Sequence, residues 1–175
     1  PKNPDSLGSN QTWRMIEDRE EPEILWIGSR GFGLIRFDKR TGKARNFTHD
    51  PEDPASVPAQ GVFRIVQDKD DANILWLGSM SGLSRFDKRT EQVEVMKGVS
   101  DFTPIIHDDG RGSLWLGGWI QNNGLVRFNK KTKEAQRYRH DPNNPGSLRS
   151  DAVVALFEDR SGIFWVTAYS GEVEK

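Results

Sequence analysis

Five side chains suited to ligand binding lie in short connections that directly follow apolar runs of the sequence. They are Arg30, Trp119, Gln121, Asn122 and Tyr169. Aromatic faces together with a few polar groups are what a small-molecule cleft requires, and amides suit the hydroxyl groups of a sugar. The sequence therefore predicts a site for a small molecule or an oligosaccharide at these connections. Packing of the loops against one another is the alternative, and it is the more common use of such residues.

The carboxylates and histidines that could support catalysis or metal binding have simpler structural interpretations. Asp68, Asp70 and Asp71 suggest a calcium loop, but the glycine and the distal glutamate of an EF-hand are missing. His49 and His140 hold equivalent positions in separate repeats, which indicates a role in loop structure. The sequence singles out no Ser-His-Asp arrangement. We therefore predict no catalytic residue, no metal site and no cofactor.

The apolar runs that precede the candidate connections are copies of one another. Each contains a tryptophan, and the tryptophans are 39 to 50 residues apart: Trp26, Trp76, Trp115 and Trp165. A period of about 40–50 residues is typical of repeat architectures. Four consecutive apolar positions suit a short strand that is buried on both faces. These tryptophans are therefore predicted to form the structural core of the repeat, packed between neighbouring units.

Each repeat has the pattern of four short strands joined by tight turns. In the first copy the strands are predicted at 12–18, 25–28, 33–38 and 44–48. Polarity rises from the second strand to the fourth, as in a β-propeller, where neighbouring blades cover the inner strands and the outermost strand meets solvent. The predicted fold class is therefore all-β, a β-propeller built of four-stranded antiparallel blades. Trp13, in the first strand, is predicted to belong to the core.

The 175 residues hold about three and a half such units, which we predict to form a single partial propeller domain. The blades are predicted at approximately 9–50, 59–98, 99–141 and 150–175, the last of them incomplete. In that last unit, residues 171–175 align with the third strand and place charges at two normally apolar positions. Three and a half blades cannot close a ring, because each blade must cover the next. The remaining blades are expected from a longer parent protein or from other copies of the chain.

Strand direction predicts which loops share a face of the propeller. Because the strands alternate in direction, connections from second to third strands lie beside connections from fourth to first strands. The latter include two long His-Asp-Pro loops, at 49–57 and 140–148. We call this side the top face. Binding residues concentrate on loops that a rigid scaffold holds in place, so the top face is predicted to carry the function.

The composition argues against several classes of partner. The formal net charge is −1 at pH 7, and lysine and arginine are spread through every repeat, so no nucleic-acid partner is expected. No apolar run reaches the roughly 18–20 residues that span a bilayer, so no membrane segment is predicted in this chain. The chain has no cysteine, which rules out disulfides and thiolate chemistry.

Four segments of the repeat carry a family resemblance: 25–29, 33–43, 49–57 and 65–68. In these segments the chain resembles the two-component regulator propeller repeat of bacterial sensor proteins. The resemblance implies paired seven-bladed propellers on the periplasmic or extracellular side of a bacterial membrane. It also implies a following transmembrane segment and a histidine kinase or diguanylate cyclase module. The implied function is non-catalytic ligand sensing, often of carbohydrates.

Two other functions stay open on the sequence. Residues 159–165 resemble the Asp-box turn of sialidases and related glycosidase propellers, although Phe157 replaces the usual serine. A glycan-active enzyme would also need two carboxylates that face each other across a cleft, and the repeats single out no such pair. The other alternative is a protein-interaction scaffold. We predict a sensing segment that is not an enzyme.

Overall fold

All regular elements that the computed structural model describes are β-strands. The described residues are 7–8, 10–58, 61–99, 102–119, 123–169 and 173–174, the last pair by backbone alone. Fifteen strands within these ranges form four antiparallel sheets in chain order. Three of the sheets have four strands and the last has three, and each sheet is one blade of a propeller.

The strands of each blade follow one another from the inner to the outer edge. Blade 1 consists of β1 (Thr12–Glu17), β2 (Ile24–Ser29), β3 (Gly33–Asp38) and β4 (Ala44–Phe47). Blade 2 consists of β5 (Arg64–Gln67), β6 (Ile74–Ser79), β7 (Gly82–Asp87) and β8 (Gln92–Val95). Blade 3 consists of β9 (Ile105–Asp108), β10 (Ser113–Gly117), β11 (Leu125–Asn129) and β12 (Ala135–Tyr138). Blade 4 consists of β13 (Val153–Glu158), β14 (Phe164–Ala168) and β15 (Val173–Glu174).

The burial of the strands confirms the predicted propeller fold. Every residue of β6 is buried, whereas β8, at the outer edge of the same blade, has one buried residue and three exposed ones. Contacts between strands join blade 1 to blade 2, blade 2 to blade 3 and blade 3 to blade 4, so the blades form an open arc. At one end of the arc, β1 is largely exposed. The burial gradient follows because inner strands are sandwiched between blades while outer strands meet solvent.

The third strand of blade 4 pairs in a different register from the one that the sequence alignment predicted. Val173 lies opposite Thr167, as Leu34 lies opposite Gly28 in blade 1. The predicted alignment of 171–175 with the third strand is therefore wrong by one residue. The apolar Val173 takes the leucine position because strand pairing, and not the glycine at 171, sets the register. Residues 171, 172 and 175 lie outside the described part of the chain.

Aromatic contacts fill the spaces between blades. Trp26 and Trp76 are buried, each at the contact with the following blade. Phe86 of blade 2 meets Trp26 edge-on with ring centroids 5.5 Å apart, and Phe128 of blade 3 meets Trp76 edge-on at 5.9 Å. Edge-to-face pairs of this kind add about 0.5–1.5 kcal/mol beyond the burial of their area. The second-strand tryptophan therefore binds each blade to the next.

A buried polar bridge accompanies each of these two aromatic contacts. Asp18 directly follows the first strand of blade 1, and its Oδ2 accepts hydrogen bonds from Trp26 Nε1 (2.7 Å) and from Lys88 Nζ of blade 2 (2.6 Å). Its Oδ1 accepts two backbone N–H groups of the following turn. Burial by itself would raise the pKa of Asp18, but the bonds from Lys88 and Trp26 outweigh it and lower the pKa to about 2. A second bridge joins blades 2 and 3: Asp68, Trp76 and Lys130.

Loss of the bridging lysine should destabilise the blade contact. Lys88→Met leaves the carboxylate of Asp18 buried without its cation, so we expect the free energy of unfolding to fall by about 3 kcal/mol. Lys39 is the matched control, because it holds the equivalent position in blade 1 but pairs with the exposed Glu17 of its own blade. Lys39→Met should cost less than about 1 kcal/mol. Urea unfolding measures both, and equal losses would contradict a structural role for the bridge.

The bridge also predicts how stability depends on pH. The pKa of Asp18 is about 2 in the folded chain against an ordinary value of 3.8, so the folded state holds fewer protons between these values. Its stabilising contribution is therefore complete above about pH 4 and is lost as the pH falls towards 2. Asp18→Asn should flatten the decline of the urea midpoint below pH 4. An unchanged decline in this variant would show that other carboxylates cause it.

Candidate functional site: an aromatic row on the top face

Four aromatic side chains from three consecutive blades form a continuous row on the top face. The rings of Trp13 and Phe63 are stacked, with centroids 3.9 Å apart and an interplanar angle of 15°. Phe63 meets Phe102 edge-on at 5.2 Å, and Phe102 meets Trp119 edge-on at 5.4 Å. Trp13 belongs to blade 1, Phe63 precedes the first strand of blade 2, and Phe102 and Trp119 flank the two inner strands of blade 3. We call this set the aromatic row.

A glycine next to the last residue of β2 and of β6 allows the blades to come close enough for these rings to touch. A Cβ atom on Gly28 would lie 2.4 Å from the carbonyl oxygen of Val62, and one on Gly78 would lie 1.9 Å from that of Thr103. Only glycine permits such a close approach of backbone to backbone. The chain that enters blade 2 therefore passes directly against the end of β2. This passage brings Phe63, the residue after Val62, against Trp13.

The ends of the aromatic row are open and its middle is covered. Trp13 is 41% exposed and Trp119 is 44% exposed, whereas Phe102 is 8% exposed. The prediction that Trp13 belongs to the core is therefore wrong. The register of β1 shifts between Thr12 and Arg14, so Trp13 sits at a β-bulge near the top of the strand. Bulges re-aim side chains, and this one is found where the side chain stacks outside the core.

The structure describes three of the five predicted ligand-binding residues, and it places them apart from one another. Trp119 forms one end of the aromatic row. Arg30 is exposed on the top face of blade 1, where its backbone N–H donates to Gln11 O (3.0 Å). Tyr169 is 80% exposed on blade 4. Gln121 and Asn122 lie outside the described residues. Trp119 therefore joins aromatic side chains that the sequence reasoning did not include.

Two residues of the aromatic row that were not predicted as ligand-binding residues share a pattern in the sequence. Trp13 and Phe63 hold equivalent positions in two repeats, and each is followed by an arginine. Repetition made the position look structural, although the second copy stacks on the first instead of packing inside its own blade. Phe102 is offset by one position from the other two. No periodic pattern marks it as a neighbour of Phe63.

The four second-strand tryptophans differ in burial. Trp26 and Trp76 are buried, while Trp115 and Trp165 are half-buried. Trp115 contacts Phe164 of blade 4 at 4.9 Å between ring centroids. All four lie within second strands and below the top-face loops. Their position suits packing between blades better than contact with a ligand.

The histidines of the two long top-face loops hold their loops closed. His49 Nδ1 lies 3.0 Å from Val57 O, and His140 Nδ1 lies 2.6 Å from Leu148 O. Each contact spans eight residues of the same loop. Within the described ranges, no group of three or more His, Asp or Glu side chains is placed to hold a metal ion. These histidines therefore act on loop conformation.

The turn that resembles an Asp box has all of its carboxylate oxygens occupied by its own segment. Asp159 Oδ1 accepts the backbone N–H groups of Ser161 and Ile163, and Oδ2 accepts Trp165 Nε1 at 2.8 Å. The hydrogen bonds from Ser161 and Trp165 lower the pKa of Asp159 to about 2. A carboxylate held ionised in this way stabilises a turn. Its oxygens point at the chain and not across a cleft.

Known structures share this fold. The extracellular domain of BT3049, described as a hybrid two-component system of B. thetaiotaomicron, matches with a TM-score of 0.77 at 19% identity, over 97% of this chain and 24% of its own. The extracellular domain of BT4673 from the same organism, also described as a hybrid two-component system, gives 0.74 at 21% identity, over 95% and 21%. The WD40 β-propeller domain of Doa1 gives 0.70 at 13% identity, over 93% and 49%.

These likenesses confirm the predicted fold and agree with the repeat resemblance. Two of the structures are extracellular domains of proteins described as hybrid two-component systems, and the repeat segments resemble a two-component regulator propeller repeat. This chain spans about a quarter of the first domain and about a fifth of the second. No protein-family model and no curated protein matches the sequence. Among the described residues there is no helix long and apolar enough to cross a membrane.

Alanine substitution of two rings of the aromatic row should distinguish the ring that stabilises the fold from the ring that is accessible to a ligand. Phe102→Ala removes a buried ring and should lower the free energy of unfolding by about 3 kcal/mol. Trp119→Ala removes a ring that is 44% exposed and in edge contact with Phe102, so its cost should be about 1 kcal/mol or less. Urea unfolding of both variants tests this difference. A large loss for Trp119→Ala would mean that Trp119 serves stability instead of ligand contact.

Proposed function

We propose that this chain is a ligand-sensing propeller segment of a bacterial two-component-type signalling protein, on the periplasmic or extracellular side of the membrane. It responds to a carbohydrate that lies on the aromatic row. The observation that carries the proposal is the row itself, with two half-exposed tryptophans at its ends. The likeness of the fold to extracellular domains of two-component systems supports the signalling context.

The aromatic row has the chemistry that a sugar requires. One face of a pyranose ring presents C–H groups, and these pack well on the flat face of an indole. Burial of apolar area against such rings contributes roughly 25 cal/mol per Å². The two accessible rings, Trp13 and Trp119, stand at opposite ends of the four-ring row, which favours an oligosaccharide over a single sugar. Polar groups of the neighbouring top-face loops would supply the hydrogen bonds that fix its orientation.

The placement of the row on three blades gives ligand binding a mechanical consequence. Trp13 belongs to blade 1 and Trp119 to blade 3, so a ligand in contact with both ties three blades together. A ligand that favours one arrangement of the blades shifts the population towards it by its difference in affinity. The propeller can therefore pass on a change at its top face without any chemical step. The parent protein would supply the signalling output.

The state of the carboxylates near the blade contacts supports a non-catalytic role. Asp18, Asp68 and Asp159 each accept a tryptophan N–H and further hydrogen bonds, and the pKa of each is lowered. A glycosidase needs one carboxylic acid that keeps its proton near neutral pH. These groups are ionised and engaged in structure. Sensing without catalysis is the function that this arrangement supports.

Binding to a panel of oligosaccharides, measured by isothermal titration calorimetry, tests the proposal. The wild-type chain should bind at least one member, and Trp13→Ala and Trp119→Ala should each weaken that binding at least tenfold. Phe157→Ala is the control, because this ring is also exposed (64%) but lies on β13 of blade 4. Tyr169→Ala tells whether the site extends to blade 4. Binding that survives both tryptophan changes would overturn the assignment to the row.

A further inference from the structure

A cleft of about 340 Å³ runs along the first strands of blades 1, 2 and 3. Its lining includes four cationic side chains and two acidic ones: Arg14, Arg19, Arg64, Lys69, Glu17 and Asp108. We call it the inner cleft. A concave surface lined mainly by one sign of charge concentrates the field and attracts ions of the opposite sign. The inner cleft therefore has the electrostatic character of an anion site.

Both acidic groups of the inner cleft already have cationic partners. Glu17 pairs with Lys39 at 2.7 Å, and Asp108 pairs with Lys130 at 3.0 Å. Asp108 also accepts the backbone N–H of Lys69 at 2.9 Å. Neither carboxylate is left over to neutralise the arginines of the cleft. The positive charge of this surface is thus not balanced from within its own lining.

Arg64 is the most constrained of the four cations. Its Nε is buried and has no hydrogen-bond acceptor among the described residues. Burial, followed by the nearby charge of Arg14, lowers the pKa of Arg64. Two guanidinium groups from neighbouring blades that share a cleft repel each other, and a buried donor without an acceptor costs about 1–3 kcal/mol. An anion between the two guanidinium groups would remove their mutual repulsion.

Two arginines of the inner cleft are neighbours in sequence of two rings of the aromatic row. Arg14 directly follows Trp13, and Arg64 directly follows Phe63, so each aromatic ring of the stacked pair is joined to one arginine. Both arginines lie on first strands, which begin at the top face. The stacked pair and the two arginines therefore stand at the same end of the first strands, the end from which a charged substituent of a ligand on the row would enter the inner cleft.

We propose that Arg14 and Arg64 bind a carboxylate or sulfate group of the ligand, and that the carbohydrate sensed by this chain is an acidic one. This inference rests on the proposed function. Guanidinium groups match the planar, two-oxygen geometry of a carboxylate and bind sulfate oxygens equally well. Charge-assisted hydrogen bonds of this kind contribute more than neutral ones. They also distinguish an acidic sugar from a neutral sugar of the same shape.

The test compares trigalacturonate with its methyl ester, which has the same sugar backbone without the charges. The full chain should bind trigalacturonate at least tenfold more tightly, as measured by calorimetry at low salt. Arg64→Gln and Arg14→Gln should each remove most of this preference and leave binding of the ester unchanged. Arg45→Gln, on the outer strand β4, is the matched control and should keep the preference. Inorganic sulfate should shift the Arg64 Nε–H resonance in NMR spectra and saturate.

The outcomes separate this inference from the proposed function. Equal binding of acid and ester overturns the acidic specificity and leaves carbohydrate sensing in place. If sulfate shifts the Arg64 resonance but trigalacturonate and a sulfated disaccharide do not bind, the acidic-carbohydrate inference fails. The proposed function fails as well only if the methyl ester and the neutral members of the oligosaccharide panel do not bind either. If neither sulfate nor an acidic sugar shifts the resonance, the cleft is not an anion site. A preference for the acid that Arg64→Gln abolishes supports the inference.

Discussion

The close approach of each blade to the one before it is the constraint on which the rest of this structure depends. The entry segment of blade 2 passes Gly28 at a distance that excludes any side chain, and that of blade 3 passes Gly78 in the same way. Sheets normally pack about 10 Å apart through their side chains. Here the inner ends of neighbouring blades meet backbone to backbone, and the spaces further out are filled by tryptophan and phenylalanine. Top-face rings from different blades touch because of this approach.

Buried pairs of a carboxylate and a lysine stabilise the same contact between blades. The Asp18 bridge uses one carboxylate to hold a tryptophan of its own blade and a lysine of the next blade, and it recurs with Asp68. A buried charge is costly unless it is fully paired, so the bridge favours one placement of one blade upon the next. Because the carboxylates Asp18 and Asp68 are used in this way, neither is available to Arg64, whose buried Nε has no acceptor among the described residues. The architecture and the proposed anion site thus have a common origin.

The blades and the candidate site depend on different residues, so a protein can share this fold without sharing the site. The blades superpose well on the extracellular domains of BT3049 and BT4673 although the identity is only 19–21%. Proteins at this sequence identity share the spacing of strands and the contact between blades. The residues of the aromatic row lie at strand entries and in a top-face connection, where side chains can change without altering the blades. The ligand must therefore be argued from this chain's own side chains.

The sequence by itself determined the repeat, the order of strands in a blade and the burial of Trp26 and Trp76. These depend on local period and polarity, which are visible along the chain. The tertiary structure alone decided which side chains of different blades meet. Asp18 and Lys88 are 70 residues apart, and the bulge that turns Trp13 out of the core leaves no mark in the pattern. Periodicity indicates which strands form the core, but the exposure of Trp13 and the partners of Trp13 and Arg14 depend on how two sheets are placed on one another.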